Sequence, residues 1–270
     1  ARCRTGSRAR EPCVPPAVAR EPYCPLAHES RAYCIHTQAE AHMRLATRAW
    51  CVSSASALYA SSRARPRLAR TMATWVDADE ASTVQANVQA VRERVNKISE
   101  TATLIAVSKL KPLSHVKAAF DAGQRDFGEN YVQELAEKAE AAKDVEGLRW
   151  HFIGSLQSNK VRQLCQVPQL QCVHTVERAK IANSLDRVWG ELGNVEPLAC
   201  FLQVNTSGEE SKGGCAPDQA PELAKAIHSK AHLKLVGLMC IGKYSGAEGD
   251  ASPDFNVLRA CRDAAAAELG

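Results

Sequence analysis

Lys109 closes a run of small and apolar residues, Leu104-Ile105-Ala106-Val107-Ser108, and Lys111-Pro112 follows. The run reads as a short buried strand that the proline ends. Partial burial and a second lysine two residues on both disfavour the ammonium form of Lys109. An unprotonated amine is the nucleophile that captures a carbonyl carbon. The competing reading is a lysine that snorkels from a strand end into water. The rest of the chain has to decide between the two.

Three more stretches are dense in polar function. They are Asp126-Phe127-Gly128-Glu129-Asn130-Tyr131-Val132-Gln133-Glu134, Trp150-His151-Phe152-Ile153-Gly154-Ser155-Leu156-Gln157-Ser158-Asn159-Lys160, and Gln203-Val204-Asn205-Thr206-Ser207-Gly208-Glu209-Glu210-Ser211-Lys212-Gly213-Gly214. Each has a structural alternative. Asn130 and Glu129 suit the start of a helix, as cap and first-turn acid. His151, alone in an apolar strand, fits a satisfied core histidine. Ser155, Gln157 and Asn159 could cap the helix that follows. The glycine-flanked Lys212 could sit in a solvated turn or bring an amine and backbone N–H groups to a phosphate. It is not a P-loop, because G-x-x-x-x-G-K-[ST] is absent.

The elements that must position these residues follow from hydrophobic spacing. Val84, Val88, Val91, Val95 and Ile98 fall on one helical stripe. After it, short apolar runs at 104–108, 125–128, 149–153, 172–176, 198–205 and 234–241 alternate with helix-like stretches at 113–122, 130–143, 157–165, 178–192, 217–230 and 253–269. Strands that alternate with helices build βαβ units and a parallel sheet. All four polar stretches lie at the carboxyl ends of predicted strands, where parallel α/β proteins place their sites. The sheet closes either as an open doubly wound sheet or as a (β/α)8 barrel, for which six units are two short.

The net charge of +4 hides two unlike parts. Residues 1–72 hold 12 Arg, no Lys and 4 Glu, a balance of +8, and residues 73–270 carry −4. The basic excess therefore implies no nucleic-acid face on the folded part. Residues 1–72 also contain five of the eleven Cys and follow no sustained period, so they read as a non-globular, disordered extension. A transit peptide, or translated upstream sequence with Met72 as the start, would both explain it; a disulfide framework explains it less well. Residues 73–270 read as the folded domain. Its six Cys are scattered without a C-x-x-C, so neither a zinc site nor a redox pair is indicated, and they read as buried thiols of a reducing compartment. No apolar run reaches the ~18 residues of a membrane span.

Taken together with Val176-Glu177-Arg178 and Gly237-Leu238-Met239-Cys240-Ile241-Gly242, the four stretches resemble the pyridoxal phosphate (PLP) homeostasis proteins over about residues 80–270. The resemblance implies a TIM-type barrel of the alanine racemase kind (PLP fold type III), with about six of its βα units in this chain. It implies that Lys109 holds PLP as a Schiff base, and that Lys111, one pleat further along, faces the same side. It makes Asn130 a partner for the ring hydroxyl and places His151 beside or over the pyridine ring. Ser155 would rim the mouth of the site, Lys212 would make a second, transient contact, and Met239 would complete the set of cofactor-binding residues. The implied role is a non-catalytic, monomeric PLP carrier supplying apo enzymes, cytoplasmic unless residues 1–72 direct it to a mitochondrion or plastid. An amino-acid racemase or decarboxylase is the enzymatic alternative, and a cofactor-free scaffold the third. The family pattern continues past Gly270 into Ser-x-Gly-Met-Ser and Gly-Ser-x-x-Val-Arg strands, and barrels hold phosphate after strands seven and eight. The expectation is that a chain of this extent binds PLP poorly or folds poorly.

Overall fold

The computed structural model describes residues 78–242 and 252–270. The expectations for residues 1–72 lie outside the described residues. Six strands, β1 (Ala106–Val107), β2 (Asp126–Glu129), β3 (Arg149–Phe152), β4 (Leu170–Val176), β5 (Leu198–Gln203) and β6 (Leu233–Met239), form one sheet in the order β1-β2-β3-β4-β5-β6. Every neighbouring pair is parallel. A doubly wound sheet reverses its strand order at a switch point. This sheet winds one way throughout, as the wall of a barrel does.

Helices connect the strands: α1 (Ala78–Ile98), α2 (Leu113–Asp121), α3 (Val132–Ala141), α4 (Val161–Cys165), α5 (Ala179–Glu191), α6 (Ala220–His228) and α7 (Ser252–Leu269). The predicted alternation is the observed one, with shorter pieces. The run at 104–108 pairs only at Ala106–Val107. The helix expected at 157–165 begins as a 3-10 turn, Ser158–Lys160, and the one expected at 217–230 begins at Pro217–Gln219 in the same way. Proline lacks the N–H that a helix interior needs, so it sits well in such an opening turn.

The helices cover one face of the sheet. Phe127, Trp150, Phe152, Val173, Cys200 and Leu202 point to that face and pack with Leu135, Leu164, Ile181, Leu185 and Ile227. Alternate residues point the other way. There, Cys172, Phe201 and Met239 form a small cluster with Ala199, Val236 and Ile241. Helix α1 docks through Val84 and Val88 and through Arg92, which donates to the carbonyl of Ala122 (2.9 Å) and to Gln124 Oε1 (3.1 Å), and Val95 is buried. Its stripe stops before Ile98, which is 86% exposed. The sequence spacing put Ile98 on the packed face, but burial on the stripe ends at Val95.

Candidate cofactor site at the strand ends

Lys109 sits in a turn directly after β1, half-buried between two residues that are tied down. Ser108 is buried. Its N–H donates to the carbonyl of Gly128 (2.9 Å), and its hydroxyl donates to Glu129 Oε1 (2.7 Å). On the other side, the Leu110 N–H donates to Glu134 Oε1 (2.6 Å). Lys138 joins these anchors. Its Nζ donates to the Ser108 carbonyl (2.7 Å), to Glu129 Oε1 (2.6 Å) and to Glu134 Oε1 (2.8 Å). Burial pushes the Glu129 carboxyl above its ordinary range, and the hydrogen bonds from Lys138 and Ser108 pull against that rise without cancelling it. Glu134 and Lys138 stand one turn apart on α3, so the helix presents both groups to the end of β1.

Lys111 is not placed by strand alternation. Its N–H closes a turn on the Ser108 carbonyl (3.0 Å), and Leu110 adopts a left-handed φ of 59°. The chain has left the pleat before it reaches Lys111, so the expectation that Lys111 sits one pleat beyond Lys109 is corrected. Asn130 does not cap α3. The capping position belongs to Tyr131, which makes no side-chain cap bond. Asn130 Oδ1 is instead buried without a hydrogen-bond partner. Gly154, at the end of β3, explains how closely the chain passes Asn130. A Cβ at Gly154 would lie 1.9 Å from the Asn130 carbonyl oxygen, which only glycine avoids. Ser155, Gln157 and Asn159 follow, all exposed at the same end of the sheet.

His151 is buried on the face away from the helices, in a chain of polar contacts. Its Nε2 meets Asp126 Oδ1 and its Nδ1 meets His174 Nε2, each at 2.9 Å. The His174 ring stacks on Phe201 with centroids 4.7 Å apart. Burial alone would raise the Asp126 carboxyl. The bidentate Arg149 guanidinium (2.7 and 2.6 Å) and His151 outweigh it and hold the carboxyl at about 2. Asp126, Lys138, Glu134 and His174 were not singled out in the sequence. Glu134 and Lys138 carried a visible i,i+4 signal, but their link to β1 spans about thirty residues.

The loop after β5 is braced by its own side chains. Asn205 Nδ2 donates to the carbonyls of Glu209 (3.0 Å) and Lys212 (3.2 Å), and its Oδ1 accepts from the Gly208 N–H (3.0 Å). Gln203 donates to the Gly213 carbonyl (2.8 Å). Gly214 has a φ of 128°, and a Cβ there would press on Asn205 N at 2.5 Å. Lys212 is half-buried; it donates to the Gly242 carbonyl (2.7 Å) and pairs with Glu209 (2.9 Å). The loop thus holds the Lys212 ammonium across the end of β6. Met239 is buried close by, in the cluster with Phe201. The six Cys among the described residues are buried and outside disulfides, and burial pushes Cys165 and Cys200 up to about 12.

Residues 80–269 match the family "Alanine racemase, N-terminal domain". A pyridoxal phosphate homeostasis protein of Caenorhabditis elegans is 43% identical over 190 residues, which cover 68% of this chain and 78% of that protein. The structure of PipY from Synechococcus elongatus, solved with PLP bound, is 31% identical with a TM-score of 0.54, over 67% of this chain and 81% of PipY. Alanine racemase of Streptomyces coelicolor is 22% identical with a TM-score of 0.58, over 70% of this chain and half of the enzyme, and this likeness speaks to the fold alone. The strand order, the lysine after β1 and these matches agree: the chain belongs to the pyridoxal phosphate homeostasis protein family, on an alanine racemase N-terminal barrel fold.

Proposed function

We propose that this chain is a non-catalytic carrier of pyridoxal 5'-phosphate, held through the Lys109 amine and passed to apo enzymes. PLP brings an aldehyde carbon, a ring hydroxyl and a phosphate. The residues present suit these groups. Lys109 is an amine whose neighbours on both sides are fixed to β2 and α3, so its approach to an aldehyde is pre-organised. That seat is the observation that carries the reading. Asn130 offers a buried oxygen with no other hydrogen bond to make, which suits a ring hydroxyl. Met239 and His151 lie on the face away from the helices. Lys111, Ser155 and Lys212 stand at the same strand ends and can meet the anionic group.

A racemase needs a second acid or base opposite the lysine. The relatives' shared name favours a carrier. The chain acts as a monomer in the cytoplasm under this reading, with apo PLP enzymes as recipients. Among the described residues, no helix is long and apolar enough to cross a membrane.

The test is to incubate the protein with PLP, reduce it with borohydride and map the adduct by mass spectrometry. A pyridoxyl group on Lys109, absent in Lys109→Ala, is the expected result. A modified parent protein with Lys109 untouched overturns the assignment. Sustained α-proton exchange with any amino acid overturns the carrier reading in favour of an enzyme.

A further inference from the structure

The carrier reading uses His151 but gives no task to Cys172 and His174, which are buried with it on the face away from the helices. Cys172 and His174 are two residues apart on β4, so they leave the strand on one side. His151 pairs in register with Cys172 from the neighbouring β3. One ligand atom from each lies within 4.8 Å of the other two. A strand that offers ligands at i and i+2, joined by one from the adjacent strand, holds its donors on rigid backbone.

The contacts behind these residues orient them. Asp126 is a carboxylate and can only accept, so His151 carries its proton on Nε2 and donates it to Asp126 Oδ1 at 2.9 Å. Its Nδ1 lone pair then turns toward His174 Nε2, 2.9 Å away. A carboxylate behind one imidazole nitrogen, with the other nitrogen bare, is how metal-ligating histidines are held. Arg149 fixes Asp126 in turn with two hydrogen bonds. The stack on Phe201 sets the plane of the His174 ring.

We propose that His151 Nδ1, Cys172 Sγ and His174 Nε2 form a site for one zinc ion. Two imidazoles and a thiolate select zinc over magnesium or calcium, which prefer oxygen. Cys172 loses its thiol proton to solvent and binds as thiolate. His174 moves its proton from Nε2 to Nδ1 and remains neutral, and His151 keeps its proton on Asp126. One proton leaves, and the ion with its three protein ligands carries a single positive charge next to Asp126. The fourth tetrahedral position is left to water or a small anion. Zinc bonds of about 2.0 Å to nitrogen set tetrahedral nitrogens about 3.3 Å apart, so the two ring nitrogens, now 2.9 Å apart, open slightly to admit the ion, and a bond of about 2.3 Å holds the thiolate.

The sequence had argued against zinc because no C-x-x-C occurs. This ligand set needs none, since C-x-H on one strand and a histidine on the next converge only when the sheet forms. The test uses cobalt(II) as the probe, without PLP. Chelator-treated protein is titrated with cobalt and followed by absorption. The expected result is one cobalt per chain, a thiolate-to-cobalt charge-transfer band and visible bands of tetrahedral intensity, all displaced by zinc. Cys172→Ser is expected to lose the charge-transfer band while unfolding at the same temperature as the metal-free parent. Cys200→Ser, on the helix-covered face, keeps the band. Asp126→Asn weakens zinc binding by about tenfold to a hundredfold. A protein with no charge-transfer band overturns the proposal. So does a band that survives in Cys172→Ser, because another thiol would then be the ligand.

Discussion

On the helix-covered face, the strands present Phe127, Trp150, Phe152, Val173, Cys200 and Leu202, and nearly every partner is apolar. One residue along, the opposite face presents Asp126, His151 and His174 in hydrogen bonds and ring stacks beside the small apolar cluster of Cys172, Phe201 and Met239. The same strands thus build a packed layer and a polar one. Glu129 and Lys138 are the exception, an ion pair buried on the packed side. Its position explains it. The pair lies beneath Ser108, where Glu129 and Lys138 tie down the turn that carries Lys109. Burial of apolar surface stabilises one face, and polar contacts order the other.

The contrast can be broken in graded steps. Trp150→Ala removes a fully buried ring packed 6.0 Å from Phe127, and is expected to cost about 4 kcal/mol in urea unfolding. An equally large cost for a residue of the polar face would dissolve the distinction. Lys138→Met leaves Glu129 buried without its cation, and is expected to cost about 3 kcal/mol near neutral pH. The cost has a pH signature. Glu129 already sits above its ordinary 4.5, and losing Lys138 raises it further. A carboxyl raised on folding supports stability below its unfolded value and loses that support as pH rises through its folded value. Lys138→Met should therefore be less destabilised at pH 4.5 than at pH 7.5, and equal costs at the two values would refute the buried-charge account.

Glu134→Gln weakens the bond to the Leu110 N–H and the contact with Lys138. It is expected to cost about 1 to 2 kcal/mol and to slow adduct formation at Lys109 after PLP is added, read by stopped-flow absorbance. Unchanged kinetics would separate the Glu134 anchor from the lysine. Ile98→Ser, on a side chain 86% exposed, should stay within about 0.5 kcal/mol of the parent. A larger loss would mean that the stripe of α1 packs further than its contacts suggest.

The strand and helix alternation was legible because each element carries its own period. The positions of Lys109 and Asn130 were legible because each follows a strand end. What could not be read depends on neighbours that only folding brings together. Lys138 reaches Ser108 across thirty residues, and Lys212 reaches the Gly242 carbonyl across thirty more. His174 gave no signal beside an apolar run, because its partner His151 comes from another strand and is itself held by Asp126 from a third. Lys111 was misplaced for the opposite reason. Period-two alternation was carried past the point where the backbone abandons it at Leu110.

That left-handed residue has one more consequence. A strand can slip along its neighbour by one position, and each slip turns every side chain to the opposite face. Here a slip would bring Ser108 or Leu110 to the place of Lys109 and aim the amine into the packed layer. Leu110 cannot join a ladder while its φ is 59°, and its N–H is already committed to Glu134. The turn works as a mechanical stop, setting where along the sheet the Lys109 amine must stand.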